Sequence, residues 1–235
     1  DASTTVYDTI DYITVSTPGD ATDFGNLTQT TKQPAASSNG VRGVFGGGQT
    51  SNSSGISNKI DYITIATTGN ASDFGDLSAA KTALAGGGNL TRALFAGGFT
   101  GSARLDTIDY ITVSSTGNAT DFGDLTVAKS SFGAVANSTR FLTAGGYTGS
   151  NTNVIEYVTI ANTGNGTDFG DLTITPCAIT GGVTNETRGV FGAYADAGCS
   201  ASNIMDYITI ASAGNATDFG DLTVARYDAG CLSGA

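Results

Sequence analysis

The hexapeptide IDYITV at Ile10–Val15 recurs as IDYITI at Ile60–Ile65 and IDYITV at Ile108–Val113, then as IEYVTI at Ile155–Ile160 and MDYITI at Met205–Ile210. The copies start at 10, 60, 108, 155 and 205, steps of 50, 48, 47 and 50 residues. Each is followed by a Gly-Asn or Gly-Asp turn and then by Asp-Phe-Gly, as at Asp23–Gly25, Asp73–Gly75, Asp121–Gly123, Asp168–Gly170 and Asp218–Gly220. A period of this length means one supersecondary unit used repeatedly, with each unit burying its apolar surface against the next. Residues 1–235 therefore read as a single domain. Residues identical in every copy are expected to build the scaffold, and those that differ are free to recognise something.

One unit reads as four short strands. In the third, Val127–Asn137 leads through an Asn137-Ser138-Thr139 turn to Arg140–Gly146. A variable loop, Tyr147–Asn153, precedes Val154–Ile160, and Asp168–Ile174 completes the unit. Turn-forming Gly, Asn, Ser and Thr separate these segments at the spacing expected of an all-β fold. In IDYITI, Ile60 and Tyr62 point to one side and Ile63 and Ile65 to the other. Such a strand must be covered on both faces, as in a four-stranded sheet packed between two neighbours, the blade of a β-propeller.

Composition removes several function classes. The net charge is −11, and eight of the ten cations are assigned to repeat positions: Lys32, Lys81, Lys129 and Arg226, and Arg42, Arg92, Arg140 and Arg188. No basic cluster remains for phosphate, so neither nucleic acid nor membrane is an expected partner. Without histidine the chain has neither the commonest general base nor the commonest zinc or copper ligand. Cys177, Cys199 and Cys231 are too few for a zinc site or a disulfide framework and are expected as small buried hydrophobes, their pairing left open. The sequence opens at Asp1 without Met, as expected of a processed chain or a piece of a longer one.

The chain resembles the kelch-repeat family of β-propellers. The resemblance rests on glycines closing the second strand (Gly46-Gly47-Gly48, Gly97-Gly98, Gly145-Gly146), on the third-strand Tyr62, Tyr110, Tyr157 and Tyr207, and on an aromatic about twelve residues later. It departs where the family's Trp is replaced by Phe24, Phe74, Phe122, Phe169 and Phe219, where the acid precedes the Tyr, and at Gly192-Ala193. The repeat GNATDFGDLT with T-R-x-x-F-x-G-G is similar to repeats of virion structural and tail proteins of marine tailed phages. The resemblance implies a propeller of 47–50-residue blades, either five-bladed or an arc of a six- or seven-bladed ring. Leu222–Ala235 is expected to supply one more first strand.

The repeated acids favour architecture over chemistry. In Asp-Phe-Gly-Asp-Leu, the carboxylates Asp73 and Asp76, Asp121 and Asp124, Asp168 and Asp171, and Asp218 and Asp221 are expected to accept nearby N–H groups as Asx turns; calcium is the weaker alternative. The third-strand acids Asp11, Asp61, Asp109, Glu156 and Asp206 form a ring-like set, as do the four arginines; where the two sets meet they would lock neighbouring units. Asn-x-Ser/Thr at Asn26, Asn52, Asn70, Asn89, Asn118, Asn137, Asn165, Asn185 and Asn215 reads as turn chemistry, with glycosylation the alternative.

The variable second-to-third loops run Gln49–Lys59, Phe99–Thr107, Tyr147–Asn153 and Tyr194–Asn203. Their polar, Gly/Ser-rich character with isolated aromatics suits recognition. Gln49, Phe99, Arg104, Tyr147, Tyr194 and Asp196 are the candidate partner-binding residues. The expected function is a non-enzymatic binding or structural module without cofactor. Its expected place is a virion fibre, tail or decoration, contacting a host glycan, a host protein or another virion protein. The alternative is a secreted or cell-surface adhesive, carbohydrate-binding protein.

Overall fold

The computed structural model describes residues 6–50, 55–179, 181–227 and 229–230. Cys231, Asn52 and part of the first variable loop lie outside them. Among the described residues there is no helix. The chain opens with β1 (Tyr7–Tyr12) and β2 (Thr22–Thr31), which pair as a hairpin. Three four-stranded antiparallel meanders follow. The first joins β3 (Ala35–Ser38), β4 (Arg42–Gly46), β5 (Lys59–Thr64) and β6 (Ser72–Asp76). The second joins β7 (Ala85–Gly88), β8 (Arg92–Ala96), β9 (Thr107–Thr112) and β10 (Thr120–Asp124). The third joins β11 (Gly133–Ala136), β12 (Arg140–Tyr147), β13 (Asn151–Thr159) and β14 (Thr167–Asp171). The last repeat is interrupted: β15 (Ala178–Ile179) pairs only with β18 (Tyr194–Ala195). Beside that ribbon, β16 (Gly182–Thr184), β17 (Arg188–Phe191), β19 (Ser202–Thr209) and β20 (Thr217–Arg226) complete a fourth meander.

The hydrophobic core lies between successive sheets. Val44 and Ile60 of one sheet meet Phe95 and Ile111 of the next. The pattern returns as Leu94 and Ile108 against Phe141 and Val158, and as Leu142 and Ile155 against Phe191 and Ile208. A central strand such as β9 is thus covered on both faces, as its two-sided apolar sequence requires.

Asp-Phe-Gly is a β-bulge. Asp121 opposes Asp109 and Gly123 opposes Ile108, so Phe122 is the extra residue. The bulge swings its ring onto Tyr110 at a centroid distance of 5.7 Å and an interplanar angle of 82°. All five repeats make this edge-to-face pair. Gly123 has φ +142°, and a Cβ there would lie 2.4 Å from the carbonyl oxygen of Gly164 in the next repeat. Glycine is required for both reasons.

Three segment boundaries differ from expectation. The first strand of the third repeat is only Gly133–Ala136, because Lys129 turns into the interior and Ser131 takes φ +58°. The loop expected at Tyr147–Asn153 shrinks, since Tyr147 pairs directly with Asn151. Leu222–Arg226 prolongs β20, where Ser202 opposes Arg226, and is not a separate first strand.

Candidate functional site

The most repeated residues are consumed in joining one repeat to the next. The N–H of Gly164 donates to Phe122 O at 2.7 Å, and that of Gly166 to Asp124 O at 2.7 Å. Asn165 Oδ1 accepts the N–H of Asp124 at 3.1 Å. The same three bonds recur where the turns at Gly69, Gly117 and Gly214 meet the bulges before them. The first acid of the bulge is turned inward on its own backbone: Asp23, Asp121 and Asp218 each accept the N–H two residues on. This is Asx-turn chemistry. Among the described residues no three His, Cys, Asp or Glu side chains gather as a metal site.

The asparagines of the other turn type are equally occupied. Asn89 Oδ1 accepts from Thr91 and Arg92, and Asn137 Oδ1 from Thr139 and Arg140. Their Nδ2 groups, where a glycan would be attached, donate to Ser138 O and Glu186 O of the following repeat.

The four arginines meet the third-strand tyrosines, not the third-strand acids. Arg42, Arg92, Arg140 and Arg188 lie over the rings of Tyr62, Tyr110, Tyr157 and Tyr207 at 4.4–4.8 Å. Three of them reach carbonyls of the next repeat: Arg42 to Val113, Arg92 to Ile160 and Arg140 to Ile210. The acids instead accept from the repeat before them. Thr28 N–H donates to Asp61 and Thr126 N–H to Glu156, at 2.8 and 2.6 Å; Thr173 N–H and hydroxyl both donate to Asp206.

Buried lysines are the residues that sequence reasoning missed here. Lys81 Nζ meets Asp109 at 2.9 Å and also donates to Phe95 O. Lys129 Nζ meets Glu156 at 2.7 Å, an ion pair outside hydrogen-bond alignment. Burial pulls both amines below their usual range, while the facing carboxylates oppose that shift. Lys32 does not belong to this set. It occupies the position of Thr82 and Ser130, bridging Gln49 as they bridge Phe99 and Tyr147.

The fourth repeat meets the same need with another group. Pro176 stands where the lysine would be, and Tyr194 stands at the position of Gly98 and Gly146. The fully buried Tyr194 hydroxyl lies against Asp206 and donates to Phe191 O at 3.1 Å, as Lys81 contacts Asp109 and Phe95 O. Burial and the nearby carboxylate push its ionisation well above the ordinary tyrosine range. Tyr194 is thus a core residue and leaves the candidate binding face. Ala193, at the first-glycine position, takes φ +56° beside it. A disulfide joins Cys177 and Cys199, with Cα atoms 5.2 Å apart, so these two are not free buried thiols.

The remaining variable-loop residues divide. Arg104 lies between two rings, 4.3 Å from the centroid of Tyr147 and 5.6 Å from that of Phe99. Its Nε is buried without a hydrogen-bond partner. Phe99 and Arg104 close a small hairpin across the Thr100–Ala103 turn. That turn packs back on Ile56 of the preceding loop. In the other direction Asn151 donates to Ala197 O of the fourth loop at 3.2 Å. Successive variable loops therefore touch and present a continuous surface. Gln49 bridges Lys32 and Ile56, as Phe99 bridges Thr82 and Arg104, and Asp196 accepts the N–H groups of Gly198 and Ser200 to hold its own turn.

One cavity of about 430 Å³ is lined by the same position in five repeats: Pro34, Leu84, Phe132, Ile179 and Ala229. Its walls are mostly apolar, with the Gln33 amide and the Ser131 hydroxyl and no titratable side chain. In comparisons with known proteins, no family model and no curated protein matches the chain.

Proposed function

We propose that the chain is a kelch-like β-propeller, five-bladed or an arc of a larger ring, acting as a non-enzymatic binding module of a virion. Four stacked antiparallel meanders and one cavity touched by five repeats support the propeller reading. The observation that carries the binding role is the convergence of Phe99, Arg104 and Tyr147 from two successive variable loops. A guanidinium held against two aromatic rings suits carboxylate-bearing sugars, with Tyr147 offering a stacking face. The buried third-strand acids Asp61, Asp109, Glu156 and Asp206 are occupied by backbone donors or lysines, which leaves none of the four distinguished as a catalytic acid. The disulfide favours an oxidising setting such as a virion or cell surface. It serves the alternative of a secreted adhesive protein equally well.

The test of the binding role is a glycan array probed with the chain and with Arg104→Ala. Selective binding to acidic glycans, reduced at least roughly tenfold in the variant, is expected. Binding unchanged by Arg104→Ala and by Tyr147→Ala counts against this face. Fractionation of the native source separates the two settings. Peptides such as Ser130–Arg140 travelling with nuclease-resistant, DNA-filled particles mark a virion protein, and recovery only from an envelope or soluble fraction marks the adhesive protein.

A further inference from the structure

Among the described residues the repeat-to-repeat junction occurs four times, and both halves of a fifth stand without a partner. One half is the outer edge of the last repeat. Phe219 is 50% exposed, whereas Phe24, Phe74, Phe122 and Phe169 are 2–7% exposed. A Cβ on Gly220 would meet nothing within 4 Å, although one on Gly25, Gly75, Gly123 or Gly170 would strike a carbonyl of the next turn at 2.4 Å. Arg188 keeps its place over Tyr207 and is exposed, where Arg42, Arg92 and Arg140 reach a carbonyl of the following repeat.

The other half is the outer edge of the first repeat. Val15 is 83% exposed and Ile65 of the second repeat 42%, while Val113, Ile160 and Ile210 of the later repeats are fully buried and give their carbonyls to those arginines. Among the described residues the turn at Gly19 donates to no bulge, whereas Gly69, Gly117, Gly164 and Gly214 each give their N–H to the carbonyl of a bulge Phe. Asp11 is exposed, where Asp61, Asp109, Glu156 and Asp206 are buried and accept the N–H of Thr28, Ser78, Thr126 and Thr173.

We infer that these two edges dock on one another between copies, so that a second chain adds head to tail through a fifth junction of the same kind. The match is group by group. Gly19 and Ala21 N–H would face Phe219 O and Asp221 O, Arg188 would face Val15 O, and Asp11 would face Thr223 N–H. Arg226 holds the position of Lys81 and Lys129 and brings a cation to Asp11. One position is mismatched: Asp20 replaces the asparagine found at Asn70, Asn118, Asn165 and Asn215. It brings a second carboxylate toward Asp221 and weakens the contact. Such an interface is heterologous, with different patches on the two partners, and it propagates or closes according to its rotation.

Sedimentation of the chain over a range of concentrations tests this. Species heavier than the monomer are expected, dissociating on dilution. Asp20→Asn is expected to tighten association at least roughly tenfold. Val15→Glu is expected to leave a monomer with an unchanged melting temperature, since Val15 touches little within one chain. Monomer mass at every concentration overturns the proposal. A monomer whose melting temperature falls with Val15→Glu also overturns it, by showing that the two edges close within a single chain.

Discussion

Asp121-Phe122-Gly123 and Asp218-Phe219-Gly220 are one sequence in two surroundings. Both form the bulge, both pair Phe edge-to-face with the neighbouring Tyr, and both give glycine a positive φ, +142° and +126°. Their local conformation is a property of the repeat. Their burial is not: Phe122 is closed over by the next sheet and Phe219 is half open. The tripeptide encodes a socket, and the stabilisation comes when the following turn fills it. This is the energetic logic of repeat proteins, with an intrinsic contribution per unit and an interface contribution per neighbour.

The largest expected effect lies at an internal junction. Lys129→Met strands the carboxylate of Glu156 in the interior and is expected to cost about 3–5 kcal/mol in denaturant unfolding. Adding Glu156→Leu is expected to return most of that loss, because the unpaired buried charge is then gone. Failure of the double variant to recover would assign the loss to packing.

A smaller difference separates the two glycines. Gly123→Ala and Gly220→Ala carry similar backbone strain, but only the former drives a Cβ into the neighbouring turn. Gly123→Ala is expected to be worse by about 1–3 kcal/mol. Equal losses would mean that conformation alone, and not the neighbour, explains the glycine.

The smallest effect concerns the fourth repeat. Tyr194 stays protonated in the folded protein, whereas in the unfolded chain it ionises near its ordinary value of 10.0. Its contribution is therefore complete below pH 10 and declines as the pH rises above it. Lys81 and Lys129 act in the opposite sense, since their lowered values add stability as the pH approaches 10.5. Comparing the chain with Tyr194→Phe isolates the tyrosine. The variant is expected to cost about 1 kcal/mol at pH 8 and to show a shallower decline above pH 10 in thermal unfolding.

Much of the scaffold was legible because each strand is repeated with its turns. The second, third and fourth strands of the third repeat fall within a few residues of expectation. The first strand did not, because its start depends on Lys129 entering the interior and on Ser131 at φ +58°. The ion pairs are not legible because lysines, arginines and acids all recur, and periodicity alone does not say which meet. The clue was the interval from Lys81 to Asp109 and from Lys129 to Glu156, 28 and 27 residues. By sequence Tyr194 resembles a loop aromatic, because the missing glycine shifts the register by one. Only the structure shows it taking the place of the lysine. The approach of Cys177 to Cys199 depends on β15 pairing with β18, which local sequence does not specify. At the candidate site, Phe99, Arg104 and Tyr147 were picked out singly, and their convergence required the packing of adjacent sheets.

The most direct test of this account is the paired unfolding of Phe122→Ala and Phe219→Ala in solution dilute enough to hold the chain as a monomer. The account predicts a loss of about 3–5 kcal/mol at Phe122 and a clearly smaller loss at the half-exposed Phe219. Equal losses would contradict it, because identical motifs would then carry identical energies whatever stands beside them.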